Sequence, residues 1–183
     1  WALQYQRKKE ECDKTGYVEL NLIEAMNMAF DEEMTNDEKV MIMGEDVGRD
    51  GGIFRLTDGL MDKHGKHRVV DTPISEMAIA GACTGLAMAG SRPIGEMQFS
   101  GFSYQAMHHY ESQIARLYKR TNGAKKVPLV IHMPYGAGVR ALEHHSESRE
   151  TYFAHTPGLT VGMPSTPRNA RRLLKPANQT DEP

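Results

Sequence analysis

Between Glu76 and Arg92 this chain carries no charged residue, and that run constrains the fold more than any other. Met77-Ala-Ile-Ala-Gly-Ala-Cys-Thr-Gly-Leu-Ala-Met-Ala-Gly90 is small and apolar on nearly every side. A helix without a polar face belongs inside a protein, between other elements. Gly81, Gly85 and Gly90 lower helix propensity, a loss that is tolerable where another backbone or a ligand approaches closely. One carboxylate, Glu76, therefore stands at the mouth of a buried helix. Burial raises a carboxyl pKa, whereas a helix N-terminus favours the anion. A carboxyl balanced between the two suits proton transfer near neutral pH. The plainer reading is a glutamate in the capping turn behind Ser75, and the residues alone leave both open.

The chain of 183 residues suits one domain with a sizeable core. A net charge of -2 lacks the basic excess of a nucleic-acid binder. Cys12 and Cys83 alone imply no disulfide framework and fit a reducing compartment. No apolar run reaches membrane-spanning length, and charge interrupts the first residues too early for a secretory signal. The chain opens on Trp1 and stops at Asp181-Glu182-Pro183, which reads as a piece of a longer protein.

Residues 1–18, including Arg7-Lys-Lys-Glu-Glu-Cys-Asp-Lys14, read as a charged, solvated arm without periodicity. From residue 19 onward a single domain is expected. Leu22, Ile23, Met26, Ala29, Phe30 and Met34 recur at helical spacing over Asn21–Met34. Short buried strands are predicted at Lys39–Met43, Arg68–Val70, Pro93–Gln98, Val127–Met133 and Leu159–Met163. An amphipathic helix is predicted over Ser103–Arg120, with Ala106, Met107, Tyr110, Ile114, Leu117 and Tyr118 on one face. A last helix starts near Pro167, with Ser165 or Thr166 as its cap. Strands alternating with helices predict an α/β fold with an open, mostly parallel sheet, whose ligands bind beyond the C-terminal strand ends.

That rule selects the loops where chemistry is expected. Gly44-Glu45-Asp46-Val47-Gly48 follows the first strand, and its acids are either ligand-facing or solvated turn residues. Glu96-Met-Gln98-Phe99 ends another strand and runs into Ser100-Gly101-Phe102, where Phe102 offers a ring to a flat heterocycle or simply packs in the core. The longest loop, residues 134–149, contributes His144-His145-Ser146. Adjacent histidines on a helix point apart, so neither His108-His109 nor His144-His145 makes a metal site alone. The chain has no paired cysteine ligand motif, no Walker-type phosphate loop and no Gly-x-Ser-x-Gly elbow.

Taken in order, these segments resemble the beta subunit of the 2-oxo acid dehydrogenase decarboxylase component. The resemblance is carried by Gly44-Glu-Asp-Val-Gly48, Gly51-Gly-Ile-Phe-Arg55 and Arg68-Val-Val-Asp-Thr-Pro-Ile-Ser-Glu76. It continues through Gly85-Leu-Ala-Met-Ala-Gly90, Arg92-Pro93, Glu96-Met-Gln-Phe99, His145-Ser146, His155-Thr-Pro-Gly-Leu159 and Pro164-Ser-Thr-Pro167. It implies a thiamine-diphosphate-binding, transketolase-like pyrimidine-binding fold over residues 19–183, truncated near its end, with the family's C-terminal domain absent.

The resemblance also implies roles. Glu76 matches the glutamate that hydrogen-bonds a ring nitrogen of the cofactor's aminopyrimidine and controls its proton. Phe102 matches the aromatic lying against the pyrimidine, and Gln98 and Glu45 complete the expected cofactor-binding set. Glu45 matches an acid near the subunit interface, and His145 a loop histidine at the mouth of the site. The carbonyl of Leu129 matches a position that holds a structural potassium ion in some members. The other ligands of that ion fall around residues 177–182, where Pro176-Ala-Asn-Gln-Thr-Asp181 departs from the usual pattern. The family's Gly-Asp-Gly magnesium motif is not found here, and in the resemblance it belongs to the alpha subunit.

The implied assembly is an alpha2beta2 heterotetramer that meets the lipoyl domain of an acyltransferase, without nucleic acid or membrane. Pyruvate, as the commonest substrate in the family, is the first expectation. A branched-chain 2-oxo acid dehydrogenase, an acetoin dehydrogenase and a non-catalytic assembly module stand beside it. Bacterial or archaeal cytoplasm and the mitochondrial matrix all fit.

Overall fold

Apolar runs that follow helix stops become parallel strands in this chain. The computed structural model describes the backbone of residues 2–183, and the side chains other than those of residues 1–6, 9 and 12. The charged arm is helical over Ala2–Thr15 (α1), where lysine, glutamate and glutamine are good helix formers despite the lack of an apolar face. Lys8 Nζ ties it to the Glu24 carboxylate at 2.6 and 2.7 Å. Trp1 and the Cys12 side chain lie outside the described residues.

Helix α2 (Leu22–Asn36) starts at a capping box in which Asn21 and Glu24 satisfy each other's backbone NH groups. Strand β1 (Val40–Gly44), helix α3 (Leu60–His64), strand β2 (Val69–Asp71) and helix α4 (Glu76–Met88) follow. Strand β3 (Arg92–Glu96) leads into a 3-10 turn at Ser100–Ala106, a π-helical turn at His109–Ile114 and helix α5 (Ala115–Arg120). Strand β4 (Val130–His132), helix α6 (Glu150–Ala154) and helix α7 (Pro167–Gln179) complete the chain.

The four strands lie parallel in the order β2-β1-β3-β4. Alternate residues of β1 serve opposite faces, as a pleated strand requires. Val40 and Ile42 join Phe30, Met34 and Leu174 beneath α2 and α7. Met43 joins Ile79, Cys83, Met97, Tyr110 and Ile114 beneath α4 and the segment after β3. The α/β fold with an open parallel sheet is therefore as the sequence predicts.

Four expectations are corrected. Leu159–Met163 is extended but pairs with no strand, because the Thr160 NH donates to the Pro183 carbonyl at 3.0 Å. The strand expected from Val127 begins only at Val130, since Pro128 has no NH to give a ladder. The helix expected over Ser103–Arg120 is divided into 3-10, π and α turns, and Tyr118 points outward. Helix α4 is buried on one side only: Ile79, Ala80, Cys83, Thr84 and Ala87 face the core, whereas Met77, Ala78, Ala82, Gly85 and Met88 are exposed. Its all-apolar surface is thus shared between the core and an open face. Thr166 caps α7 by accepting from the Asn169 NH at 3.2 Å, and α7 runs on through Pro176 to Gln179.

Candidate functional site

All four strands point their C-terminal ends to one edge of the sheet, at Gly44, Asp71, Glu96 and His132. The loops leaving that edge carry most of the residues singled out in the sequence. The Asp71 carboxylate holds the loop after β1 by accepting from the Gly48 NH at 2.6 Å and the Arg49 NH at 3.1 Å. This fixes the acids of Gly44-Glu45-Asp46 against the start of α4.

Glu76 is the first residue of α4 and only 4% exposed. Ser75, not Glu76, caps the helix, its Oγ accepting from the Ala78 NH at 3.4 Å. Glu76 thus stands in the capping turn behind Ser75, as the plainer reading has it, and the capping bond is made without its carboxylate. Glu45 is also buried, and among the described residues its Oε1 has no hydrogen-bond partner. Burial first, and then the neighbouring charges of Glu76 and Asp46, push the Glu45 carboxyl above its ordinary value, against a smaller opposing pull from the Ser75 backbone. Glu45, Glu76 and Glu96 thus bring three buried carboxylates to one end of the sheet. Tyr110, behind them, has its hydroxyl pushed up by burial and by Cys83 and Glu76. Burial pushes the Cys83 thiol up to about 12, which makes it an inert packing residue.

An aromatic group lies beyond the end of β3. The His145 ring lies 4.8 Å from Phe99 and 4.9 Å from Phe102, centroid to centroid, and Phe54 and Phe102 each meet Phe99 edge-on. Two features hold the histidine loop there. Ser100 anchors both of its ends, donating its NH to Pro134 and its hydroxyl to the Glu147 carbonyl, each at 2.9 Å. Gly101 lets the backbone pass close, since a Cβ there would lie 2.2 Å from the His144 carbonyl oxygen. The loop is locally strained, with φ of 67° at His144 and 33° at Glu143. His145 Nδ1 lies 3.0 Å from the Glu143 carbonyl.

The structure therefore brings Glu45, Glu76, Gln98, Phe102 and His145 to the same edge. Gln98 donates to Asp46 Oδ2 at 3.0 Å, so it braces the first loop. Leu129 is buried just before β4, at the opposite end of the sheet from these residues. Sequence reasoning did not single out Asp71, Gly101 or the role of Ser100; the turn chemistry around them names residue types but not the loops they latch. Among the described residues no three His, Cys, Asp or Glu side chains converge as a metal site. The residues fit an aminopyrimidine: an unpartnered carboxylate oxygen such as that of Glu45 could accept from its amino group, a protonated carboxyl could donate to its ring nitrogen, and half-buried rings could accept a flat heterocycle.

Comparison with known proteins agrees with this geometry. Residues 18–183 match the transketolase pyrimidine binding domain. The chain is 46% identical over 164 residues to the beta subunit of the pyruvate dehydrogenase E1 component of Acholeplasma laidlawii, covering 90% of this chain and 50% of that protein. It is also 46% identical over 164 residues to the 2-oxoisovalerate dehydrogenase subunit beta of Bacillus subtilis strain 168, with the same coverage. The chain thus spans about half the length of the curated relatives it matches. A solved structure described as a split gene transketolase, inactive beta4 tetramer, has the same fold, with a TM-score of 0.70 at 19% identity over 90% of this chain and 49% of that one. The buried glutamate at the head of α4, the parallel sheet and the sequence match place this chain in the transketolase pyrimidine-binding domain family.

Proposed function

We propose that this chain is the pyrimidine-binding part of the beta subunit of a thiamine-diphosphate-dependent 2-oxo acid dehydrogenase. The observation that carries the reading is the buried Glu76 at the first turn of α4, beside the raised carboxyl of Glu45, within a matched family domain. Thiamine diphosphate, when bound, supplies the electron sink that lets a 2-oxo acid lose carbon dioxide. The chain's own residues supply position and proton control. Glu76 holds or releases a proton at a pyrimidine ring nitrogen, and Glu45 is the neighbouring site to which that proton passes. Phe102 offers a ring to the pyrimidine, while Gln98 keeps the Asp46 loop in place. His145, packed against Phe99 and Phe102, is the residue assigned to handling the acyl group on its way to a lipoyl arm.

The remaining parts of the reading concern the assembly. An alpha subunit would bring the magnesium and diphosphate half of the cofactor, and a second beta subunit would complete an alpha2beta2 enzyme. The lipoyl domain of an acyltransferase is the acceptor. Among the described residues no helix is long and apolar enough to cross a membrane, and the bacterial relatives point to the cytoplasm of a bacterium as the site of action. Pyruvate is the first substrate proposed. The equal identity to a 2-oxoisovalerate dehydrogenase subunit favours branched 2-oxo acids as a second reading.

The test is reconstitution of the full-length chain with its alpha partner, thiamine diphosphate and magnesium. Pyruvate, branched 2-oxo acids and acetoin are compared, each beside Glu76→Gln. Turnover that falls about 10²–10⁴-fold in the folded variant supports the role of Glu76 and names the substrate. Undiminished turnover in Glu76→Gln removes it; failure of the assembled protein to bind cofactor points to a non-catalytic assembly module.

A further inference from the structure

The segments that carry Glu45 and Glu76 leave neighbouring strands. Gly44 and Asp71 end β1 and β2 in register, and the Thr72 NH donates to the Gly44 carbonyl at 2.9 Å. Beyond that bond the two segments part, and one side chain joins them again. Asp71 Oδ1 accepts from the Gly48 NH at 2.6 Å, and its Oδ2 accepts from the Arg49 NH at 3.1 Å. Two consecutive backbone NH groups thus cradle one carboxylate. Gly48 permits the close approach, since a Cβ there would lie 2.7 Å from Asp71 Oδ2. The rest of the loop is tied to the same turn: the Gly52 NH donates to the Asp46 carbonyl at 2.7 Å and the Thr57 hydroxyl to the Val47 carbonyl at 2.6 Å. Asp46 itself holds a left-handed φ of 59°, which a residue with a side chain keeps only where its surroundings fix it.

We propose that Asp71 is a positioning residue: it sets the approach of Glu45 to Glu76 and so governs the proton exchange assigned to that pair. Asp71 lies on the strand that leads to Glu76 and grips the turn that carries Glu45. Bonds from backbone NH groups to a carboxylate are stronger than those between neutral groups, so a single latch suffices. Burial, then the charge of Glu76 and then that of Asp46 raise the Glu45 carboxyl, and the Ser75 backbone opposes them. Asp71 therefore acts on Glu45 through the loop, by keeping it buried and close to Glu76. Without the latch the turn opens, Glu45 meets water, and both of the larger causes weaken. The assignment rests on the proposed roles of Glu45 and Glu76, so its first test needs no turnover.

The experiment is a double-mutant cycle on the full-length protein in its native assembly, read as thermal midpoint at neutral pH. Wild type, Glu45→Gln, Asp71→Ala and the double variant are melted side by side. Removing the Glu45 charge should raise the midpoint of wild type, and in the Asp71→Ala background that gain should fall to about half or less. An equal gain in both backgrounds overturns the proposal. Asp71→Asn keeps one accepting oxygen and carries the same comparison if the alanine variant does not assemble; an undiminished gain there overturns it equally. The second readout is the pH profile of kcat in the assembled enzyme. Glu45 must be ionised to accept a proton, so in Asp71→Asn the acid limb should move to lower pH. A lower plateau with an unmoved limb marks a merely structural latch and overturns the proposal. An assembly that gives no turnover at all fails the proposed reaction, and the melting cycle then decides the latch by itself.

Discussion

Glu45 and Glu76, from the loop after β1 and the first turn of α4, are both buried at one end of the sheet, and the charge of Glu76 makes ionisation of Glu45 harder. The raised carboxyl of Glu45 gives a signed prediction. A carboxyl whose folded pKa lies above its unfolded value stabilises the fold below the unfolded value and loses that contribution as pH rises through the folded one. Glu45→Gln should therefore raise the thermal midpoint at neutral pH, and the gain over wild type should vanish below about pH 4.5, the ordinary glutamate value. Thermal melts of both proteins across that range are the check. The same change should slow turnover, because it removes the proton's neighbouring site.

His64 titrates in the opposite sense. Burial first lowers its pKa from 6.5, only partly offset by its bond to Asp31 Oδ1 at 2.8 Å. A histidine with a depressed folded pKa contributes stability above its unfolded value, and that contribution is lost as pH falls. Wild type should lose midpoint from about pH 6.5 downward relative to His64→Gln, whose amide keeps a hydrogen bond to Asp31 and cannot titrate. Parallel curves for the two proteins would remove the assignment.

Gly101→Ala should act on the histidine loop alone. The added methyl meets the His144 carbonyl oxygen at 2.2 Å, and backbone must move to relieve it. His145 then leaves its place between Phe99 and Phe102, with a loss of turnover on the order of 10²-fold if a displacement of about 1 Å results. Steady-state kinetics with lipoyl domain as acceptor, beside a thermal melt, would separate this from simple unfolding.

Arg68 tests the frame of the sheet. Its guanidinium donates to the carbonyls of Met34, Asp37 and Val40 at 2.6–3.0 Å, joining the end of α2 to the start of β1. Arg68→Met strands those oxygens and should cost about 2–3 kcal/mol in denaturant unfolding. Turnover per folded molecule should be unchanged.

The order of elements was legible because period and punctuation agree: the Asn21 cap, the apolar face of α2, the Thr166–Pro167 start of α7 and the strand at Val40 carry their own local signals. Glu76, Phe102 and His145 were found as motif residues, but their convergence follows from strand order, which no local pattern encodes. The outward face of α4 was missed because an apolar side chain looks the same whether it meets the core or lies open. The turns of His109–Ile114 escaped for a related reason, since the i to i+5 pattern shifts the helical face by only one residue. Leu159–Met163 has a strand's composition, yet its Thr160 NH is taken by Pro183, a contact set by tertiary structure.

The strand order also sets a timetable. A chain leaving the ribosome completes β1 and β2 first, and these can pair at once through Ile42 and Val69. The central ladder must wait until Arg92 arrives opposite Val40, after the whole of α4 has been made. His145 comes later still, beyond β4. The reactive edge is thus the last part to close during synthesis, and until then Glu45 and Glu76 stand in water and apart. Pairings so distant along the chain form slowly, so a nascent chain exposes the apolar flank of α4 for longest while its acids are still uncoupled.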